Sequence, residues 1–357
     1  MAVHSRASPI ENNSTKQSGN SPPPQSEAKV ADSAAAADAR LVVVVVIWFA
    51  SSIVFNITAA KLLKLMPDAE DMTVIELFVT VLVAALSLSF RGMRLLPAGG
   101  LRDWPAASGL GALHLLNCRS FVYSLQFIPT ALAQTIRATN PVWVVGISTL
   151  LGQRFGGSVL MSLLPLVGGF ALAVGAEPGS LANPQGLAAA ICSVNAQVCV
   201  NLLGQRRLSE KARGDEKESV APPHPFELQF MSCLFALFLL LPVWFCTGGA
   251  DRFLAHWQSS DAGTQQSILL MSALDGFLYF TEQTASFSAL QSFQPLTFAV
   301  IDTLRRLSIV MVAGFWVQGT VLTANKAIGI LLVVGGGLCF AYARDKEERS
   351  RAAKKAH

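Results

Sequence analysis

Four arginines lie inside apolar stretches: Arg119, Arg137 and the adjacent pair Arg305 and Arg306. An arginine at mid-bilayer costs about 2.5–3.5 kcal/mol on insertion scales, so chains keep one there when it faces a protein interior or a water-filled cavity. A cluster of fixed positive charge in such a place suits an anionic solute. Arg305 and Arg306 differ by about 100° around a helix, so one can face a cavity while the other meets a partner. Asp302 lies three and four residues before them, within intrahelical pairing distance. Arg137 precedes Pro141 by four residues. A proline removes a backbone donor and weakens a helix, and interrupted helices line transporter sites. Arg137 is therefore either an anion ligand or an arginine snorkelling to the membrane edge.

Arg119 shares its stretch with His114, Asn117 and Tyr123, and Tyr123 is one turn away on the same helical face. These residues form a polar, aromatic cavity wall, or Arg119 holds helix-end carbonyls. Glu76 and Glu282 are the intramembrane acids. Glu282 can pair with an arginine in an empty site or carry a proton, since desolvation and neighbouring cations pull a carboxyl in opposite directions. Asp275, seven residues before Glu282, is expected nearer the surface, and His114 as a packed polar residue.

No catalytic constellation accompanies these charges. There is no GxSxG, HExxH or P-loop pattern. The chain reads as neither an enzyme nor an ATP-driven pump, and it calls for no cofactor. The six cysteines form no CxxC pair and read as packing residues.

The elements that must position the charges are membrane spans. Over half of the 357 residues are hydrophobic and 14% are charged, against about 25% in soluble domains. The scattered basic residues exclude a nucleic-acid partner; the bilayer is the expected one. Spans of about 20 apolar residues are predicted at 41–60, 72–90, 104–127, 130–151, 157–175, 185–204, 226–247, 265–290, 294–317 and 324–343. The expected fold is all-α and polytopic, with ten transmembrane helices over 40–344. A polar tail at 1–39 is expected to be disordered because it cannot bury enough apolar surface. A polar loop is expected at 205–225 and a basic tail at 345–357. Nine Lys/Arg in loops on the side of the termini face four on the other, which places both termini in the cytosol. The tail's acids speak against a plastid transit peptide and for a Golgi or endoplasmic-reticulum membrane, the plastid envelope being the alternative.

An internal repeat divides the spans five and five, at about 40–180 and 181–344. Arg137 precedes Gly168-Gly169 by 31 and 32 residues, and Arg305 precedes Gly336-Gly337 by the same 31 and 32. A repeat of an odd number of spans is inverted across the membrane and puts substrate at the repeat interface.

At Gln134 to Pro141 (QTIRATNP) and Pro295 to Arg306 (PLTFAVIDTLRR), the chain resembles the triose-phosphate-translocator family of the drug/metabolite transporter superfamily. The resemblance runs through all ten spans. It implies two inverted five-helix repeats and antiport by alternating access. It also implies that Arg137, Arg305 and Arg306 bind the substrate phosphate, in places where the sugar-phosphate exchangers have a lysine and a Lys-Arg pair. Arginine keeps the charge and adds a planar fork suited to phosphate. The family's phosphate-touching tyrosine falls on Glu282, its helix-three histidine on Cys118, and the asparagine before the Lys-Arg pair on Asp302.

The sequence thus points to a secondary antiporter for a phosphorylated organic anion, a sugar phosphate or a nucleotide sugar. Its substrate-binding residues would be Arg137, Arg305, Arg306, Glu282, Arg119 and Tyr123, and exchange would be obligatory because uncompensated arginines resist closing around an empty site. Two other readings remain open. One is an exporter of small neutral or cationic metabolites, with the arginines neutralised by Glu76, Glu282 and Asp302. The other is a non-transporting membrane scaffold that recruits partners through the 205–225 loop and the basic tail. The sequence sets no oligomeric state.

Overall fold

Along the helix Ala69–Phe90, Phe78, Leu82, Leu86 and Phe90 recur every fourth residue and are exposed. Thr73, Glu76 and Thr80 are buried on the opposite face. This is a water-soluble helix turned inside out, because a lipid solvent lets apolar side chains face outward and drives polar groups into the bundle. The computed structural model describes residues 25–66, 68–93, 104–150, 152–175, 183–209, 223–293, 295–312 and 323–356. Regular structure among the described residues is helical throughout.

The helices are α1 (Gln25–Leu65), α2 (Ala69–Phe90), α3 (Trp104–Leu125), α4 (Thr130–Ala138), α5 (Asn140–Leu150) and α6 (Gly157–Gly175). They continue with α7 (Pro184–Ser209), α8 (Pro225–Cys246), α9 (Gly249–Ser259), α10 (Ala262–Ser292), α11 (Pro295–Ile309) and α12 (Ala324–Ala356). Five carry segments long and apolar enough to cross a membrane: Ala39–Leu65, Ala69–Phe90, Pro184–Leu208, Pro225–Cys246 and Ala327–Glu347. The protein is a multi-pass helical membrane protein. Ten crossings in two inverted repeats exceed what these five segments show. Polar residues such as His114, Asn117 and Arg119 lower the hydropathy of α3, as Asp275 and Glu282 do for α10, and α4, α5 and α11 are short.

The single span expected over 130–151 is two helices. α4 ends at Ala138, Thr139 Oγ1 donates to Ile136 O at 2.6 Å, and α5 restarts at Asn140-Pro141. Proline is tolerated in a first turn, where its missing N–H would lack an intrahelical partner anyway. The break therefore falls two residues after Arg137. The short helix α9, whose first turn follows Gly248 in the left-handed region (φ 72°), was not expected from the span pattern.

The chain divides into two units, Met1–Val42 and Val43–His357. In the first, the described residues from Gln25 onward are helical. The expected disordered tail up to residue 24, and 210–222 of the expected polar loop, lie outside the described residues. The basic tail expected from 345 continues α12 as helix to Ala356, and Glu347 accepts from Gly156 N at 2.9 Å. One glycine of each pair in the sequence repeat, Gly169 and Gly336, lies where α6 and α12 pack together. A Cβ on Gly169 would stand 2.6 Å from Gly329 O, and one on Gly336 would stand 2.6 Å from Leu166 N. Only glycine permits so close a backbone approach.

Candidate functional site

α11 presents Asp302, Arg305 and Arg306 within one turn, and all three are buried. Arg305 donates through Nη2 to Asp302 Oδ1 at 2.7 Å and through Nη1 to Glu282 Oε1 at 2.6 Å. Arg306 Nε donates to Asp302 Oδ2 at 2.9 Å. Asp302 thus bridges both arginines along its own helix, while Glu282 reaches Arg305 from α10. α1 completes the setting: Ser52 Oγ accepts from Arg305 Nη1 at 2.8 Å, and the Trp48 ring lies 4.8 Å from the guanidinium carbon. The side chains of these four charged residues are 4–10% exposed. Ions taken this far from water lose several kcal/mol of solvation each, and persist when hydrogen-bonded to opposite charge. Two guanidiniums and two carboxylates give the cluster zero net charge.

Arg137 sits in the last turn of α4, beside the break. Its Nη2 donates to Asn117 Oδ1 at 2.6 Å, and its guanidinium lies 4.1 Å from the Phe121 ring centre, a cation–π contact. Asn117 Oδ1 also accepts from Ser193 Oγ at 3.1 Å, and its Nδ2 donates to Gln197 Oε1 at 2.8 Å. No ion pair holds Arg137 among the described residues, and its Nε has no partner. Arg137 and Glu282 line the same small cavity, together with Glu76, Tyr279 and Gln283. Glu282 is therefore the link between the two halves of the site: it shares a cavity with Arg137 and a hydrogen bond with Arg305. On another side, a groove lined by Asn140, Asn201, Gln205 and Arg344 reaches Asp302 and Arg306.

The structure thus brings together Arg137, Arg305, Arg306 and Glu282. It places Arg119 and Tyr123 elsewhere. Arg119 pairs with Glu70 at the start of α2, and Arg252 of α9 reaches Asp68 at 3.2 Å and Glu70 at 3.5 Å. Tyr123 lines the pocket around this second cluster, packed on Phe127. The reason is helical register: Asn117 turns inward toward Arg137, whereas Arg119, two residues on, points toward the start of α2. Asp275, expected nearer the surface, is fully buried, and neither of its carboxylate oxygens has a hydrogen-bond partner. Its neighbour Gly276 packs directly on α2, where a Cβ would meet Val79 at 2.5 Å, and this draws Asp275 in. His114 is a packed polar residue, bonded to Tyr279 Oη at 2.9 Å. Ser52, Trp48 and Tyr279 were not singled out from the sequence; as neutral side chains in apolar runs they gave no charge signal.

The sequence profile of the Triose-phosphate Transporter family matches residues 39–341. The chain belongs to that family. Relatives include the phosphoenolpyruvate/phosphate translocator 3, chloroplastic, of Oryza sativa subsp. japonica, 28% identical over 86% of this chain and 74% of its own length. The xylulose 5-phosphate/phosphate translocator, chloroplastic, of Arabidopsis thaliana is 25% identical over 85% of this chain and 70% of its own. The Arabidopsis glucose-6-phosphate/phosphate translocator 2, chloroplastic, is 23% identical over 83% and 73%. A solved structure superposes with a TM-score of 0.52 at 16% identity, covering 84% of this chain and 98% of its own, a likeness of fold alone. Glu282 and Asp302 are the two acids that hold the arginine pair.

Proposed function

We propose that the protein is a secondary antiporter that moves a phosphorylated organic anion across an organelle membrane by alternating access. Its helices would form ten spans in two inverted repeats, with both termini in the cytosol. The observation that carries the reading is a set of three arginines from two helices of a member of this family: Arg305 and Arg306 are buried and Arg137 half-buried, and Glu282 bonds Arg305 while lining one cavity with Arg137. A phosphate has the charge, and a pair of acceptor oxygens matched to the planar guanidinium fork, to take the place of that carboxylate on Arg305. Arg137 then closes on it from the cavity, and Arg306 stays with Asp302 or assists.

Sugar phosphates are favoured over nucleotide sugars because the relatives' names are those of sugar-phosphate or phosphoenolpyruvate exchangers with phosphate. The same names support the plastid envelope, while the acidic residues of the N-terminal tail support the Golgi or endoplasmic reticulum; a fluorescent fusion imaged in cells separates the two. The transport test is counter-exchange in liposomes. Vesicles holding purified protein and inorganic phosphate are offered labelled phosphate, glucose 6-phosphate, phosphoenolpyruvate or a nucleoside monophosphate. Uptake that depends on the loaded anion is the expected result. Absence of uptake with all four, from folded protein, refutes the reading.

A further inference from the structure

A carrier that binds anions through buried arginines has a difficulty when it is empty. To expose the site to the other side it must pass through a closed state that excludes water. Bare guanidiniums there lose their solvation and repel each other. Only an anion relieves this, and strict exchange follows when the substrate is the only anion available.

In this chain the anions are built in. Arg305 is held by two carboxylates at 2.6 and 2.7 Å, and Arg306 by one of them at 2.9 Å. Two positive and two negative charges cancel, in a place where every side chain involved is at most 10% exposed. The charge of the Arg305–Arg306 pair is therefore matched without water and without substrate. The two carboxylates are differently mounted. Asp302 shares a helix with both arginines and moves with them. Glu282 comes from α10, and its second oxygen has no partner, so a rotation of its side chain would free Arg305 Nη1 for an incoming phosphate while Asp302 keeps Nη2. Arg137 has no carboxylate on it, but Asn117 and the Phe121 face satisfy part of its guanidinium. It also shares its cavity with Glu76 and Glu282.

We infer that Glu282 and Asp302 act as internal counter-anions, so that the empty carrier closes and returns, and the protein catalyses net, uncoupled anion flux beside exchange. The choice of phosphate as probe rests on the function proposed above. The obligatory exchange expected from the arginines alone gives way to a facultative one.

The experiment uses full-length protein in liposomes loaded with labelled inorganic phosphate, with the membrane potential clamped. Initial efflux is measured into phosphate-containing medium (exchange) and into gluconate medium without phosphate (net flux). For wild type we expect net flux of at least about one-tenth of exchange. Removing the counter-anion with Glu282→Gln leaves the positive charge uncompensated, an effect of about 2.5–3.5 kcal/mol if it matches mid-bilayer insertion values, so the net-to-exchange ratio should fall about 100-fold. Glu282→Asp, which keeps the charge, should hold the ratio within about threefold of wild type. Asp302→Asn supplies the same comparison if Glu282→Gln does not reconstitute. Wild-type exchange with net flux below one-tenth of it overturns the inference and leaves the proposed antiport standing. A ratio unchanged by loss of the charge overturns it as well. Folded protein that moves phosphate in neither mode overturns both readings.

Discussion

The molecule contains the same ionic motif twice, two arginines and two carboxylates, in opposite surroundings. At the centre, Arg305 and Arg306 meet Asp302 and Glu282, with side chains 4–10% exposed. Near the start of α2, Arg119 and Arg252 meet Glu70 and Asp68, with side chains 20–48% exposed. Water decides what each can do. Where solvent reaches the ions it screens them, and such pairs contribute about 0–1 kcal/mol each. In the bundle interior, desolvation and attraction are both large, and removing one partner leaves an uncompensated charge that costs about 3–5 kcal/mol. A substrate anion can exploit only the second arrangement, because there its own charge replaces something of comparable weight.

The sharpest way to break the contrast is Arg305→Ala. It removes the guanidinium shared by Glu282, Asp302 and Ser52. Counter-exchange should fall at least about 100-fold, the weight of two charge-assisted hydrogen bonds at roughly 1.5–3 kcal/mol each. Thermal unfolding in detergent should shift down as well, since Glu282 is left buried without a cation. Exchange within a few-fold of wild type would remove Arg305 from the site.

Next comes Arg137→Ala. This residue gives up one hydrogen bond to Asn117 and one ring contact, but strands no carboxylate of its own. Exchange should drop about 10- to 100-fold, from the loss of one charge-assisted phosphate contact, with a smaller stability change than Arg305→Ala. A larger loss of stability than for Arg305→Ala would show that Arg137 is chiefly structural.

Asp302→Asn tests the competition between substrate and internal carboxylate. Asparagine can still accept a hydrogen bond through one oxygen but has no charge, so both arginines become stronger anion ligands. The KM for phosphate should fall about three- to tenfold in concentration-dependent exchange, while Tm falls because the buried cluster is no longer neutral. An unchanged KM would mean that phosphate never displaces or opposes Asp302.

These expectations show which parts of the site were legible in the sequence. Arg137, Arg305 and Arg306 were visible because a charge in an apolar run is expensive and has to be explained, and Asp302 was visible by its helical spacing to the pair. The weak point at Thr139–Asn140 was signalled by Pro141. Depth and helical facing were not legible. Asn117 and Arg119 are two residues apart and serve different clusters, a distinction set by how α3 packs on α2 and α7. Asp275 was misplaced for the same reason, since the close contact made by Gly276 decides its burial. Ser52, Trp48 and Tyr279 matter through what they touch, and no single-residue signal marks a neutral side chain in a greasy stretch. The helix α9 escaped because its apolar face, with Phe253 and Trp257 packed inward, is too short to register as a span.

The smallest effect is expected at the rim, where it bears most directly on the comparison. Arg119 was read from the sequence as a possible wall of the substrate cavity, and in the structure its partner is Glu70. Arg119→Ala should leave Arg252 in contact with Glu70 and Asp68, so neither acid is left without a cation. Exchange should stay within about threefold of wild type, and a double-mutant cycle with Glu70→Ala should give a coupling of no more than about 1 kcal/mol, the range of exposed pairs. That coupling should shrink further in high salt, because screening acts on ions that water reaches. The corresponding cycle between Arg305 and Glu282 should give a larger value that salt leaves nearly unchanged. A coupling at Arg119 as large and as salt-resistant as that one would mean that this end of the bundle closes off from water during transport, and the rim cluster would then have to be counted with the site.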